Sequence, residues 1–218
     1  MSEAASAPSP TAATQVGAGS EGLTPLVSAG FRRYALTVLL VVYTVNFLDR
    51  QIVSILAEPI KNDLELTDTQ LGLLTGLAFG LVYCGFGLPI ARLADRFNRV
   101  WIISGSLAVW SACTVLCGRA TSYATLVSAR MGVGVGEAGC TPTAHALIAD
   151  YTPKEKRASA LAFFAMGTPI GSLLGLAMGG VIADAYSWRA AFLIAGVPGL
   201  LLAVLCFFTL KEPRDRMA

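Results

Sequence analysis

Residues 34–57 read YALTVLLVVYTVNFLDRQIVSILA. As a helix rising about 1.5 Å per residue, such a run is long enough for the roughly 30 Å hydrocarbon core of a bilayer. Its first half carries no charge, yet Asn46, Asp49 and Arg50 follow within the same run. An ionisable side chain near mid-bilayer costs about 2.5–3.5 kcal/mol on insertion scales, so such groups face a cavity or a partner rather than lipid. The stretch predicts a membrane-spanning helix with one working face.

Outward from it, five further apolar segments run over 69–92, 100–118, 123–150, 159–184 and 190–210. Backbone amides in lipid must be satisfied within the segment, and none of these runs alternates as barrel strands do, so six transmembrane helices are expected. The composition agrees: 55% hydrophobic residues, 14% charged and a mean hydropathy of +0.64, against about 45–50% and 25% in soluble domains. A net charge of +2 with no basic stripe points away from nucleic acid. Residues 1–29, rich in Ala, Ser, Thr, Pro and Gly, read as a disordered cytoplasmic tail. The first basic residues, Arg32 and Arg33, follow this tail, and the apolar run behind them is too long for a signal peptide. Cys84, Cys113, Cys117, Cys140 and Cys206 all lie in apolar stretches without metal-ligand spacing and read as small buried hydrophobes; neither a metal nor a cofactor is implied.

Basic residues orient the spans, because loops rich in Lys and Arg stay in the cytoplasm. With the amino terminus inside, eleven of the sixteen fall on the cytoplasmic side, Lys61, Arg119 and Arg189 fall outside, and Arg50 and Arg130 lie within helices. Both termini are therefore expected in the cytoplasm of a multi-pass inner (plasma) membrane protein. The first and fourth spans each open a triplet with a polar-interrupted helix, a pattern suited to two inverted three-helix repeats.

The loop after the second span reads Ala91-Arg92-Leu93-Ala94-Asp95-Arg96-Phe97-Asn98-Arg99. It resembles the G-x-L-A-D-R-x-G-R-R signature of the major facilitator superfamily, departing at Ala91, Asn98 and Val100; asparagine tolerates a left-handed turn conformation nearly as glycine does. Arg130-Met131-Gly132-Val133-Gly134-Val135-Gly136-Glu137-Ala138 is similar to the family's R-x-x-x-G-x-G-x-A pattern. The loop from Asp150 to Arg157 and the Trp188-Arg189-x-x-Phe192 start of the last span fit the same superfamily. The resemblance implies half of a twelve-helix transporter: a tail at 1–29, the amino-terminal six-helix domain at 30–212, and the start of a central loop at 213–218. It also implies alternating access by rocking against a second six-helix half, so the chain is expected to be a fragment, a split-gene product or dependent on a partner half. Asn46-Phe47-Leu48-Asp49-Arg50 with Gly134-Val135-Gly136-Glu137-Ala138 looks most like the Spinster branch, whose members are proposed to move lysolipids or sphingoid lipids; the anion–cation symporter branch carries similar elements.

Asn46, Asp49, Arg50, Arg130, Glu137, Thr141 and His145 are the candidate substrate and proton-binding residues. At 100° per residue, Arg130, Gly134, Glu137 and Thr141 share a helix face, but Arg130 and Glu137 stand about 10 Å apart and cannot pair. Glu137 must find a partner across the bundle, and Arg50 is the candidate. Asp49 and Arg50, adjacent in sequence, point about 100° apart. Burial favours the protonated form of a carboxyl and a nearby arginine opposes it, so a movable arginine can couple proton uptake to a change of shape. Asp49 or Glu137 is expected to couple protons, with Arg50 holding an anionic group of a small-molecule substrate. His145 is expected to be a packed, hydrogen-bonded structural histidine, with a proton relay as the alternative. Asp95, Arg96, Arg99, Asp150 and Arg157 are expected to latch helices at the cytoplasmic end.

Gly132, Gly134, Gly136 and Gly139 mimic a dinucleotide fingerprint, but they sit inside an apolar helix without a preceding strand, so close helix packing is the reading. Gly167, Gly171, Gly175 and Gly179 suit packing and bending of the fifth span. No zinc motif or nucleophile turn is present, and an enzyme is not expected. The competing reading is a non-transporting membrane subunit whose buried charges drive assembly.

Overall fold

A computed structural model describes residues 27–213 of the chain. Most of the expected tail, together with Arg214 and Arg216, lies outside the described residues. Within them the chain is all helix and connecting turns. The first span is α1 (Ala29–Ile55), started by Ser28, whose hydroxyl accepts from the Phe31 amide at 3.2 Å. A short helix not anticipated from the sequence, α2 (Ala57–Asp63), follows. The second span joins α3 (Asp68–Gly72), a π-helical turn (Leu73–Leu77) and α4 (Ala78–Arg96). Then come α5 (Arg99–Cys117) and α6 (Tyr123–Tyr151). The fifth span is broken at Met166 into α7 (Arg157–Ala165) and α8 (Gly167–Ala185), and α9 (Trp188–Thr209) is the sixth.

Five of these segments are long and apolar enough to cross a membrane: Ala29–Ile55, Asp68–Arg96, Arg99–Cys117, Lys154–Ala185 and Trp188–Thr209. The exception is α6. Its 29 residues reach roughly 43 Å, ample for the slab, but Arg130, Glu137 and its glycines and threonines dilute its hydropathy. Neighbouring helices cover that polarity: α6 packs on α5 and α4 and also touches α1.

The packing has the pattern of an inverted repeat. The main contacts are α1 with α8, α4 with α6, α5 with α9, α5 with α6, and α1 with α9. Exchanging the first span with the fourth, the second with the fifth and the third with the sixth maps this set onto itself, as two related triplets would, although the α8–α9 contact has only a slight counterpart between α4 and α5. This is the expected fold class, a six-helix arrangement of two three-helix repeats.

Small residues set the closest approaches. Gly167, Gly171, Gly175 and Gly179 form a buried stripe on α8 facing α1. A Cβ at Gly171 would lie 2.2 Å from the Thr44 carbonyl oxygen, so the two backbones touch there.

The loops sort into two ends. At one, Phe31 meets Tyr151 edge-on at 5.7 Å, Lys211 lies over the Phe31 ring at 5.4 Å, and Arg99 binds Asp150. At the other, Arg189 binds Asp63 at 2.8 Å and donates to the Ala120 carbonyl at 3.2 Å.

At Asn98 the left-handed conformation that asparagine tolerates is not used, and the expected burial of the cysteines needs correction. Asn98 has φ −61° and ψ 118°, not a left-handed conformation; it caps α5 by accepting from the Val100 and Trp101 amides at 2.9 and 3.2 Å. Capping replaces the turn because the chain enters α5 directly after α4. The cysteines are not all buried: Cys84 is exposed on α4 and Cys113 is half-buried, while all five are free. Of α4 only Ala94 is buried, so an apolar residue there need not be a core residue.

Candidate functional site

Asp49 and Arg50 leave α1 in different directions, as adjacent helical residues must. Asp49 is 2% exposed and faces α5, where its Oδ2 accepts from Thr114 Oγ1 at 2.6 Å. Its Oδ1 has no hydrogen-bond partner, and the positive charges acting on it are Arg130 and Arg50. Arg50 turns to α6, where its Nε donates to Glu137 Oε2 at 2.6 Å. The Arg50 side chain is 28% exposed and that of Glu137 is 0% exposed, so the ion pair is open from the arginine side alone.

The guanidinium of Arg50 also lies against three aromatic rings, Phe47 of α1 at 5.4 Å and Phe79 and Tyr83 of α4 at 5.3 and 4.7 Å. Ring faces attract cations, more strongly where water is excluded. Phe79 is shared, because Arg130 of α6 sits 5.2 Å from the same ring. Gly134 makes the room: a Cβ there would fall 3.3 Å from the Phe79 carbonyl oxygen and 3.4 Å from its ring. The π-turn at Leu73–Leu77 lies just before Phe79 and sets its phase toward α6; such turns interrupt helices frequently at functional sites.

Polar atoms without partners surround this cluster. Arg130 is buried with Nε and Nη1 unsatisfied, Asn46 is buried with both amide atoms unsatisfied, and Glu137 Oε1 has no partner. Buried polar atoms are normally paired, and leaving one unpaired costs about 1–3 kcal/mol. Here several converge between α1, α5 and α6, where they can serve water, a proton or a substrate group. Thr141, one turn beyond Glu137, is half-buried.

His145 departs from its expected structural role. It is exposed, meets Phe164 edge-on at 5.4 Å, and has no hydrogen bond among the described residues. Two turns beyond Glu137, it has left the buried face of α6.

The loop residues divide. Arg99 joins α5 to α6 through Asp150 and the Ala146 carbonyl, the latter at 3.4 Å, while its backbone amide donates to Glu212 at 2.6 Å. Arg157 donates to the Ala149 and Thr152 carbonyls at 3.0 and 3.2 Å, satisfying the end of α6. Asp95 and Arg96 are exposed at the end of α4 and border a groove there with Pro89 and Phe97.

Sequence reasoning missed Phe79, Tyr83 and Thr114. The two rings are four residues apart on a lipid-length helix, a spacing that looks like any apolar face, and Thr114 carries no charge to draw notice.

The "Major Facilitator Superfamily" profile matches residues 39–217. The chain is 42% identical over 171 residues to an MFS-type efflux pump of Mycolicibacterium smegmatis, covering 78% of this chain and 40% of the pump. It is 32% identical over 168 residues to a hexuronate transporter of Bacillus subtilis, covering 77% and 40%. The crystal structure of a bacterial homolog to the human lysosomal transporter Spinster, inward-facing and unoccupied, is similar with a TM-score of 0.81 and 39% identity over 86% of this chain and 44% of that one. The chain thus spans less than half the length of these relatives. The profile match, the paired loop signatures and the six-helix packing together establish that this chain belongs to the major facilitator superfamily and is similar to its Spinster members.

Proposed function

We propose that residues 30–212 form the amino-terminal six-helix half of a proton-coupled secondary transporter that works by alternating access with a second six-helix half. The membrane is the bacterial inner membrane, and the end holding Arg99, Asp150 and Lys211 faces the cytoplasm, because most basic residues gather there. The reaction is movement of a small molecule rather than catalysis. The cargo is a small organic anion or an amphipathic, lipid-like molecule.

The Arg50–Glu137 pair carries this reading. A carboxylate sealed in the bundle and paired with an arginine that still reaches outward has two states available. With Glu137 ionised, Arg50 is held by it; with Glu137 protonated, Arg50 is free to hold an acidic group of the cargo while the rings of α4 keep it in place. Asp49 forms a second carboxylate beside Arg130 and is the alternative proton site. Arg99, Asp150 and Arg157 would latch the cytoplasmic end in one half of the cycle, with Asp95 and Arg96 on the moving α4.

The test uses the intact transporter in proteoliposomes, with radiolabelled glucuronate and a lysophospholipid as alternative cargoes. An inward proton gradient should accelerate uptake of one of them, and Glu137→Gln should remove that acceleration. Uptake of neither would overturn the cargo assignment, and unchanged coupling would remove Glu137 from the mechanism.

The full burial of Glu137 also favours a second reading, a subunit whose charges hold helices together. In that case Glu137→Gln should disrupt assembly on size-exclusion chromatography; a correctly assembled but uncoupled variant supports the carrier.

A further inference from the structure

Away from the charged core, α5 and α6 leave between them a groove of about 570 Å³, bordered by Cys113, Leu116, Arg119, Thr125, Ser128 and Ala129 among others. The helices close on each other below it, where a Cβ at Gly132 would lie 2.5 Å from Cys113 Sγ and one at Gly136 would lie 2.6 Å from the Trp110 amide nitrogen. They are joined above it by the short connection that follows Cys117. The groove runs along the helices, and its character changes with depth.

Arg119 stands at the end of the span, exposed, its side chain making no ion pair or hydrogen bond among the described residues. Cys113 lies six residues earlier on the same segment, roughly 9 Å deeper into the membrane, with Leu116 between. The two hydroxyls on the other wall are already committed: Thr125 Oγ1 donates to the Ser122 carbonyl and Ser128 Oγ to the Ala124 carbonyl, each at 2.8 Å. Arg119 is therefore the strong donor the groove offers, above an apolar floor.

We propose that this groove is a phospholipid site, with a lipid phosphate on Arg119 and an acyl chain lying along Leu116 and Cys113. The charge at the mouth selects an acid, since a guanidinium binds phosphate oxygens in a fork. Its height selects a lipid: the groove begins where a span ends, at headgroup level, and deepens into the hydrocarbon. The site is separate from the Arg50–Glu137 cluster and does not depend on the transport reading.

Native mass spectrometry of the intact transporter, titrated with dioleoylphosphatidylglycerol or with phosphate-free dioleoylglycerol, tests it. Phosphatidylglycerol should bind the wild type at one delipidation-resistant site. Arg119→Gln should weaken that site about tenfold, the size of one lost charge-assisted contact, and Arg119→Lys should restore part of it. Leu116→Trp, which fills the floor, should weaken both lipids. Equal phosphatidylglycerol occupancy in wild type and Arg119→Gln, or no preference over dioleoylglycerol, would overturn the proposal and leave an adventitious annular lipid only.

Discussion

Arg50 and Glu137, 87 positions apart, meet across α1 and α6 at 2.6 Å, with the carboxylate sealed and the guanidinium partly open. Removing one partner of such a pair strands the other charge in the bundle, which costs about 3–5 kcal/mol when burial is complete and less here because Arg50 is partly exposed. Glu137→Ala should therefore lower the melting midpoint in detergent more than Glu137→Gln, whose amide oxygen still accepts from Arg50. A Glu137→Ala variant that melts at the wild-type midpoint would show that the contact contributes nothing to the fold.

The rings of α4 should hold Arg50 through their faces. Tyr83→Phe keeps the face but removes the hydroxyl, which also interacts with Arg50, so it should lose less stability than Tyr83→Ala, which should lose about 1 kcal/mol or more, the size of a partly desolvated cation–π contact. Thermal unfolding followed with a thiol-reactive dye separates the two; identical curves would rule out a cage.

Packing of α8 on α1 requires a hydrogen at Gly171. Gly171→Val should push the helices apart and cost about 1–3 kcal/mol or more, in the manner of overpacked cores, while Gly180→Ala, where a Cβ meets nothing within 4 Å, should be silent. Monodispersity and melting of both variants decide it.

At the opposite end of the molecule from α2, the Arg99–Asp150 contact should behave as a coupled pair. A double-mutant cycle with Arg99→Gln and Asp150→Asn should give a non-additive stability term of about 1–3 kcal/mol. Additive effects would mean that the latch is held by the Glu212 contact to the Arg99 amide instead.

The proposed orientation is checked with single cysteines at Thr121 and Glu155 in a variant lacking the native thiols. A membrane-impermeant maleimide applied to intact cells should label the first and spare the second. The opposite labelling would invert the topology.

Much of the fold was legible in advance because lipid is an undemanding reader: apolar length and the distribution of Lys and Arg act locally along the chain. The six spans at 34–57, 69–92, 100–118, 123–150, 159–184 and 190–210 correspond to α1, the Asp68–Arg96 segment, α5, α6, the Lys154–Ala185 segment and α9. The Glu137–Arg50 pairing followed from the ten-ångström separation that barred Glu137 from Arg130. Boundaries at turns were less visible. Asn98 served as a cap, not in the left-handed turn that its residue type tolerates, and α2 was unmarked because seven residues carry too little pattern to read.

The amino-acid sequence alone determined that this chain crosses a membrane in six helices and buries charges in two of them, since hydrophobic length and the cost of an ion in oil need no knowledge of neighbours. Tertiary structure decided which way those charges point and what they touch. Asp49 finding Thr114, Arg50 finding Phe79 and Tyr83, and His145 turning outward all depend on how helices distant in sequence are rotated against one another. That rotation is set by glycine contacts and a π-turn, whose effect exists only once two helices meet.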